Sequence, residues 1–183
     1  MSIAANIAVI ILEIIGLSIS VSKRKAEVFV YYTQLSNMET LLSSVVFLFA
    51  GGTAFSATLR YLSSCMLTLT FIVTLFVLVP QMESGFYKLM LSGNGLYHHT
   101  LCPVISIASY MLWESHADAV LLPVALTFIY GIMMLVLNYL KKYDGPYPFF
   151  RVHNQSATAT VIWMCVLTGA IALISFAVAG IAA

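Results

Sequence analysis

Long apolar stretches separated by short polar segments recur along the whole chain. At about 1.5 Å per residue, stretches of this length can cross roughly 30 Å of hydrocarbon as helices. The pattern predicts six transmembrane helices, over residues 3–21, 28–49, 61–79, 96–113, 120–140 and 157–182. We therefore expect an all-α fold, a polytopic membrane helix bundle with short loops, forming a single integral membrane domain over residues 1–183.

The composition supports the same interpretation. Of the 183 residues, 61% are hydrophobic and only 8% are charged, whereas soluble domains carry about 25% charged residues. Lipid must therefore solvate most of the chain, which predicts a multi-pass protein of a cellular membrane, the inner membrane if the source is bacterial. The net charge of +1 argues against nucleic acid as a partner, because no basic face is available to neutralise phosphates.

Basic residues are concentrated in alternate loops. Seven lie in the first, third and fifth loops, whereas the second and fourth contain only Arg60. Cytoplasmic loops of membrane proteins are enriched in Lys and Arg, so both termini are expected on the non-cytoplasmic side. Four further polar residues are expected to be solvated in loops: Glu114, His116, Asp118 and His153.

A polar stripe is predicted on the second helix. Thr33, Asn37, Thr40 and Ser44 share one face at 100° per residue, with Ser36 at its edge. Lipid cannot satisfy such a stripe, so it must face other helices or a wet cavity. Hydrogen bonding between helices would explain it as well as a functional site would.

The fourth helix opens with two adjacent histidines. Their side chains point about 100° apart, so at most one should face the polar stripe. His99 shares a face with Cys102 and Ser106 and is the first choice, with His98 as the alternate. Thr33 lies about 7 Å and His99 about 5 Å from the cytoplasmic ends of their helices, which would bring them to one level of the membrane.

Two carboxylates are expected deep in the bilayer. Glu13 lies about 12 Å and Glu39 about 16 Å from the cytoplasmic ends of their helices. Ionisable groups at such depth indicate function by default. Glu39 points about 100° away from the polar stripe, however, and a neutral, hydrogen-bonded carboxyl would be a purely structural alternative.

Three motifs occur in an order that resembles the androgen-inducible membrane hydrolase superfamily, and most closely its bacterial six-helix relatives. They are Tyr31-Tyr32-Thr33-Gln34-Leu35-Ser36-Asn37, His99 four residues before Pro103, and Pro146-Tyr147-Pro148-Phe149. The animal members hydrolyse fatty acid esters of hydroxy fatty acids. The resemblance implies a threonine nucleophile with a histidine partner, at Thr33 and His99. The last motif also predicts a stiff loop at the headgroup level that caps the site.

The leading hypothesis is hydrolysis of a membrane lipid ester at the cytoplasmic leaflet. Thr33 would attack the acyl carbonyl, with His99 as general base and then acid. Asn37 is the expected donor to the oxyanion, with Tyr32 as a weaker candidate. Neither a cofactor nor a metal is expected, because adjacent histidines with no nearby carboxylate cannot easily chelate one ion.

Three other functions are open. Cys102 would be the acyl acceptor in an acyltransferase. Glu13, Glu39 and the histidines would form the polar path of a proton-linked transporter or a lipid-binding protein. The chain would otherwise be a structural membrane subunit. Small residues of the last helix suit close packing, including that of a homodimer: Ala172, Ser175 and Ala179.

Overall fold

Helices dominate the computed structural model, which describes residues 1–117, 119–144 and 147–182, with the backbone alone at 181 and 182. Helix makes up 84% of the chain and the described ranges contain no strand, which confirms the all-α class. The α-helices are α1 (Ser2–Arg24), α2 (Tyr32–Ala50), α3 (Ala54–Val73), α4 (Cys102–Trp113), α5 (Leu121–Tyr139) and α6 (Ala157–Ala182). Asp118 and Pro146, both used in the sequence analysis, lie outside the described residues.

Shorter helical segments connect these elements. Three have 3₁₀ geometry: Lys25–Val30 after α1, Val79–Gln81, and Pro148–Phe150 before α6. Three have π geometry: Thr74–Leu78 at the end of α3, Tyr87–Leu91, and Leu96–Leu101 leading into α4. Single π turns are rare and are often found at functional sites.

Four helical stretches are long and apolar enough to cross a membrane. They are Ser2–Val30, Ala54–Gln81, Leu121–Tyr139 and Ala157–Gly180. Residues 32–50 and 96–113 contain more polar side chains and are not among these four stretches. The structure thus supports a membrane-embedded helical protein with four apolar helices of spanning length.

The surface of α1 is reversed relative to that of a water-soluble helix. Ile3, Ile7 and Ile11 are exposed, whereas Asn6 and Glu13 are fully buried. Polar groups that face the interior and apolar groups that face outward are typical of helices solvated by lipid.

α3 lies at the centre of the bundle and packs against α2, α4, α5 and α6. Between α3, α5 and α6 the interior is largely apolar, with Tyr61, Met134 and Ile171 at its centre. Between α1, α2, α3 and α4 it is largely polar. The candidate residues of the sequence analysis lie in this polar half.

Two predicted boundaries were wrong. The second helix begins at Tyr32 rather than at residue 28, because residues 28–30 belong to the 3₁₀ turn after α1. The third begins at Ala54 rather than at residue 61, because the Thr53 hydroxyl accepts a hydrogen bond from the Ser56 N–H and caps the helix. Arg60 is therefore inside α3 and not in a loop.

Glu114 was expected to be solvated, and this prediction was wrong too. Its carboxylate is buried and receives hydrogen bonds from Arg60, with Nε to Oε2 at 2.8 Å and Nη2 to Oε1 at 3.2 Å. Asn6 Nδ2 and Ser109 Oγ also donate to Oε1, at 2.9 and 2.5 Å. Because a charge inside a membrane bundle must be paired, this network connects α1, α3 and α4.

The small residues of α6 make contacts within the chain. Ser175 is fully buried, and its hydroxyl lies 2.7 Å from the Tyr61 hydroxyl and donates to the Val120 carbonyl at 2.7 Å. This face packs against α3, so a homodimer remains a prediction that would need a different surface.

Candidate functional site

The polar stripe of α2 faces the interior of the bundle, as predicted. Thr33, Asn37, Thr40 and Ser44 are all buried, and Ser36 is fully buried beside them. Much of this stripe bonds within its own helix or to α3. Its N-terminal end, at Thr33, differs because it borders open space.

Thr33 is the second residue of α2, where backbone N–H groups have no partner inside the helix. Tyrosine hydroxyls take the place of a capping side chain. Tyr130 accepts from the Tyr32 N–H at 3.1 Å, and Tyr147 accepts from the Thr33 N–H at 3.3 Å. The positive end of the helix dipole stabilises negative charge that develops at this position.

Tyr147 also contacts the Thr33 side chain, with 3.2 Å between the two hydroxyl oxygens. Burial raises the pKa of the Tyr147 phenol, so it keeps its proton at neutral pH. Because its oxygen accepts from the Thr33 N–H, its proton is free to donate to Thr33 Oγ1 or to a bound ligand. Together the Thr33 N–H and the Tyr147 hydroxyl form a pair of donors at the start of α2.

Two cavities meet at Thr33 and Tyr147. The larger has a volume of about 610 Å³, within the roughly 300–1,000 Å³ usual for small-molecule sites, and its wall combines polar and basic residues, including His99, with apolar ones such as Leu78 and Leu89. The smaller, of about 40 Å³, is almost entirely apolar and extends between α3, α5 and α6 past Leu69 and Leu167. Thr33 therefore lies where a cavity with polar and basic groups in its wall adjoins an apolar one.

His99 is oriented by Thr74. Its Nδ1 lies 3.0 Å from the Thr74 hydroxyl, and each residue belongs to a different π segment. When Nδ1 carries the proton and donates to the Thr74 hydroxyl, Nε2 is the unprotonated nitrogen available for proton exchange. His99 and Thr33 line the same cavity but form no direct hydrogen bond.

His98 has different surroundings. It is fully buried, with Nδ1 3.2 Å from the Gln34 amide nitrogen and Nε2 3.5 Å from a Glu13 carboxylate oxygen. Its ring packs directly on Gly16, where any β-carbon would overlap it. The Cys102 thiol lies beside Glu13 as well.

The helical wheel grouped His99 with Cys102, and this grouping was wrong. A π turn advances by a smaller angle per residue than an α turn, so the 100° wheel does not apply across residues 96–101. In the structure His98 and Cys102 both lie next to Glu13, while His99 turns to the cavity.

The remaining candidates are placed as follows. Asn37 Nδ2 donates one of its two N–H groups to the Thr33 carbonyl at 2.6 Å, and the residue lines neither cavity. Tyr32 bonds Thr127 at 2.7 Å and lines only the apolar cavity. Cys102 is fully buried and lines neither cavity. The carboxylate oxygens of Glu39 are buried, with no hydrogen-bond partner among the described residues.

Three residues of the site had no assigned role in the sequence analysis. Tyr147 belongs to one of the recognised motifs, so a signal for it existed. Thr74, which contacts His99, lies within an apolar run, and Gln34 contacts His98, which is 64 positions away. Local sequence could not indicate either contact. Across the described ranges, no group of three His, Cys, Asp or Glu side chains could hold a metal ion.

Comparisons with protein-family models, curated proteins and solved structures give no match. The resemblance carried by the three motifs therefore stays a prediction, and a function must be argued from the geometry around Thr33.

Proposed function

We propose that the protein is a membrane-embedded hydrolase of fatty acyl esters, with Thr33 as nucleophile and His99 as general base. One observation carries the proposal. Thr33 lies at the positive end of α2 between a polar and an apolar cavity, with a histidine in the wall of the polar one. An amphiphilic ester needs such a boundary, because its carbonyl separates an acyl chain from a polar group.

In the acylation step, Thr33 Oγ1 bonds to the carbonyl carbon while His99 Nε2 takes the hydroxyl proton. The tetrahedral oxyanion accepts a hydrogen bond from the Tyr147 hydroxyl, and it replaces the Tyr147 oxygen as the acceptor of the Thr33 N–H. The bond to the leaving oxygen then breaks, and His99 returns the proton to the departing alcohol. The two side chains do not touch in this structure. The proton is therefore transferred through one bridging water, or directly once substrate binding has brought Thr33 and His99 together.

Deacylation reverses these roles. A water molecule in the larger cavity gives a proton to His99 and attacks the acyl-threonine carbonyl. Collapse of the second tetrahedral species releases a fatty acid and returns the proton to Thr33. Thr74 acts as a positioning residue, because its contact with Nδ1 keeps Nε2 of His99 directed to the reacting groups.

The apolar cavity beside Thr33 offers a starting point for the acyl chain. Since its volume is only about 40 Å³, binding a chain would have to widen it. The proposal includes six membrane spans with both termini on the non-cytoplasmic side, so the site opens towards the cytoplasmic leaflet. It agrees with the resemblance to the androgen-inducible hydrolase superfamily.

A fluorophosphonate probe, which labels activated hydroxyl nucleophiles, tests the proposal on the purified protein in detergent. We expect labelling of the wild type, none of Thr33→Ala, and normal labelling of Thr40→Ala. Thr40 is a matched control because it is buried on the same stripe but lines neither cavity. Labelling that persists in a folded Thr33→Ala variant would exclude Thr33 as the nucleophile.

One observation favours a second candidate, proton-linked transport. Glu13 and His98 form a fully buried pair, 3.5 Å apart, that the hydrolase mechanism does not use. A transporter would move protons through this pair, so Glu13→Gln in sealed vesicles would abolish substrate-driven proton uptake. An ester hydrolase would show no such uptake in the wild type.

A further inference from the structure

Four cations surround the larger cavity and come from separate parts of the chain. Lys23 and Arg24 end α1, Lys88 belongs to the π segment Tyr87–Leu91, and Arg151 follows the 3₁₀ turn before α6. No carboxylate is among the residues that line this cavity. Within the described ranges, none of the four lies within 4 Å of a carboxylate.

The positive-inside rule explains why basic residues lie at this end of the bundle. It does not require that they line one cavity. Lys141 and Lys142 satisfy the same rule from an exposed position in loop five, and neither lines the cavity. The convergence of the other four thus needs a separate explanation.

Local contacts restrain or enclose three of these cations in the cavity wall. The Arg24 guanidinium lies 4.6 Å from the centre of the Tyr31 ring, a cation–π contact that restrains it. Arg151 Nε is buried and has no hydrogen-bond partner in the part of the chain that is described. Gly93 adopts a positive φ of 56°, and a β-carbon there would lie 3.5 Å from Lys23 Nζ, so the third loop closely approaches this lysine.

Four cations that line one cavity without an anion repel one another, and an anion that enters the cavity relieves this repulsion. Guanidinium groups bind phosphate oxygens in pairs, and ammonium groups bind them as point charges. Gln34, Gln81 and Asn94 add amide groups to the same wall, suited to the hydroxyl and ester oxygens that flank a phosphate. The wall therefore matches a phosphate group within a larger polar molecule.

We propose that the cavity binds the phosphate of an anionic membrane phospholipid. Thr33 lines the same cavity and the apolar one, so a phosphate held by the cations leaves a neighbouring acyl ester near Thr33 Oγ1. Resting on the proposed function, the substrate class is then an acyl ester of a phospholipid. The lipid is held by its headgroup in the basic cavity and cleaved at the chain that enters the apolar one.

Binding is measured by native mass spectrometry with the full chain carrying Thr33→Ala, so that no turnover is needed. We expect phosphatidylglycerol to bind at least tenfold more tightly than diacylglycerol of the same chains. Adding Lys88→Gln and Arg151→Gln should remove that preference, whereas adding Lys141→Gln and Lys142→Gln, an equal change of charge outside the cavity, should leave it intact. Thermal unfolding establishes that each variant is folded.

Several outcomes would overturn the proposal. If the Lys141/Lys142 control loses the preference for phosphatidylglycerol to the same extent, general surface charge would explain that preference. Equal affinity for oleate would point to a carboxylate instead, and inorganic phosphate that binds as tightly as the lipid would make the site one for the free ion. If lipid binding fails while wild-type protein still reacts with the fluorophosphonate, the hydrolase proposal stands and only the phospholipid assignment falls.

Discussion

At the scale of single residues, the two adjacent histidines show how position separates identical side chains. His98 is enclosed by Gln34, Glu13 and Gly16, so its ring connects α1 and α2 to the π segment that leads into α4. His99 is partly exposed in the cavity wall and is held through one nitrogen only. Under the proposed function, the first histidine is a structural residue and the second is the general base.

This assignment predicts opposite effects of the two alanine variants. His99→Ala should lower kcat/KM for an ester substrate by about 10²- to 10⁴-fold, the usual contribution of a general base, with little change in unfolding temperature. His98→Ala should lower the unfolding temperature, because it opens a cavity, removes the hydrogen-bond partner of Gln34 Nε2 and takes the imidazole away from Glu13. Ester turnover and thermal unfolding in detergent measure the activity and the stability of each variant. Loss of activity without loss of stability in His98→Ala, and the opposite in His99→Ala, would make His98 the functional histidine.

At the scale of elements, the pattern of apolar and polar residues was sufficient to predict the position of a helix where that helix is continuous and uniform. The bounds of α6 match the prediction, those of α5 differ by one residue at each end, and the stripe of α2 is buried as expected. Sequence reasoning failed where local geometry changes. The π turn at residues 96–101 invalidated the helical wheel, and the early start of α3 at Ala54 depended on the Thr53 cap.

The contact between α1 and the histidine segment depends on one glycine. In Gly16→Ala the new methyl group would overlap the buried His98 ring, which has little room to move, and we expect a loss of about 1–3 kcal/mol in unfolding free energy. Gly169→Ala is the matched control, since no atom lies within 4 Å of its β-carbon position and alanine favours helix by about 1 kcal/mol. Chemical denaturation in detergent compares them, and equal stability of the two variants would contradict the close packing.

At the scale of the whole molecule, charge is distributed unequally between the two ends of the bundle. Asn6, near the start of α1, bonds Glu114, whereas Ser20, near its end, lines the basic cavity. Arg60, the one lysine or arginine among the described residues at the first end, is paired with Glu114. This pair joins residues 54 positions apart, so the sequence pattern alone could not reveal it. Net positive charge therefore remains only at the end with the cavity.

This asymmetry predicts that the second and fifth loops lie on opposite sides of the membrane. In a variant whose exposed Cys165 is replaced by alanine, Gly52→Cys and Lys142→Cys each add one thiol at an exposed loop position, and the native Cys65 and Cys102 are buried. Expressed in bacteria, Gly52→Cys should react with a membrane-impermeant maleimide in cells with a permeable outer membrane. Lys142→Cys should react only after the inner membrane is opened. If both thiols react from the same side, the three helices between them, α3, α4 and α5, cannot each cross the bilayer, and the six-span arrangement with a cytoplasmic cavity would have to be abandoned.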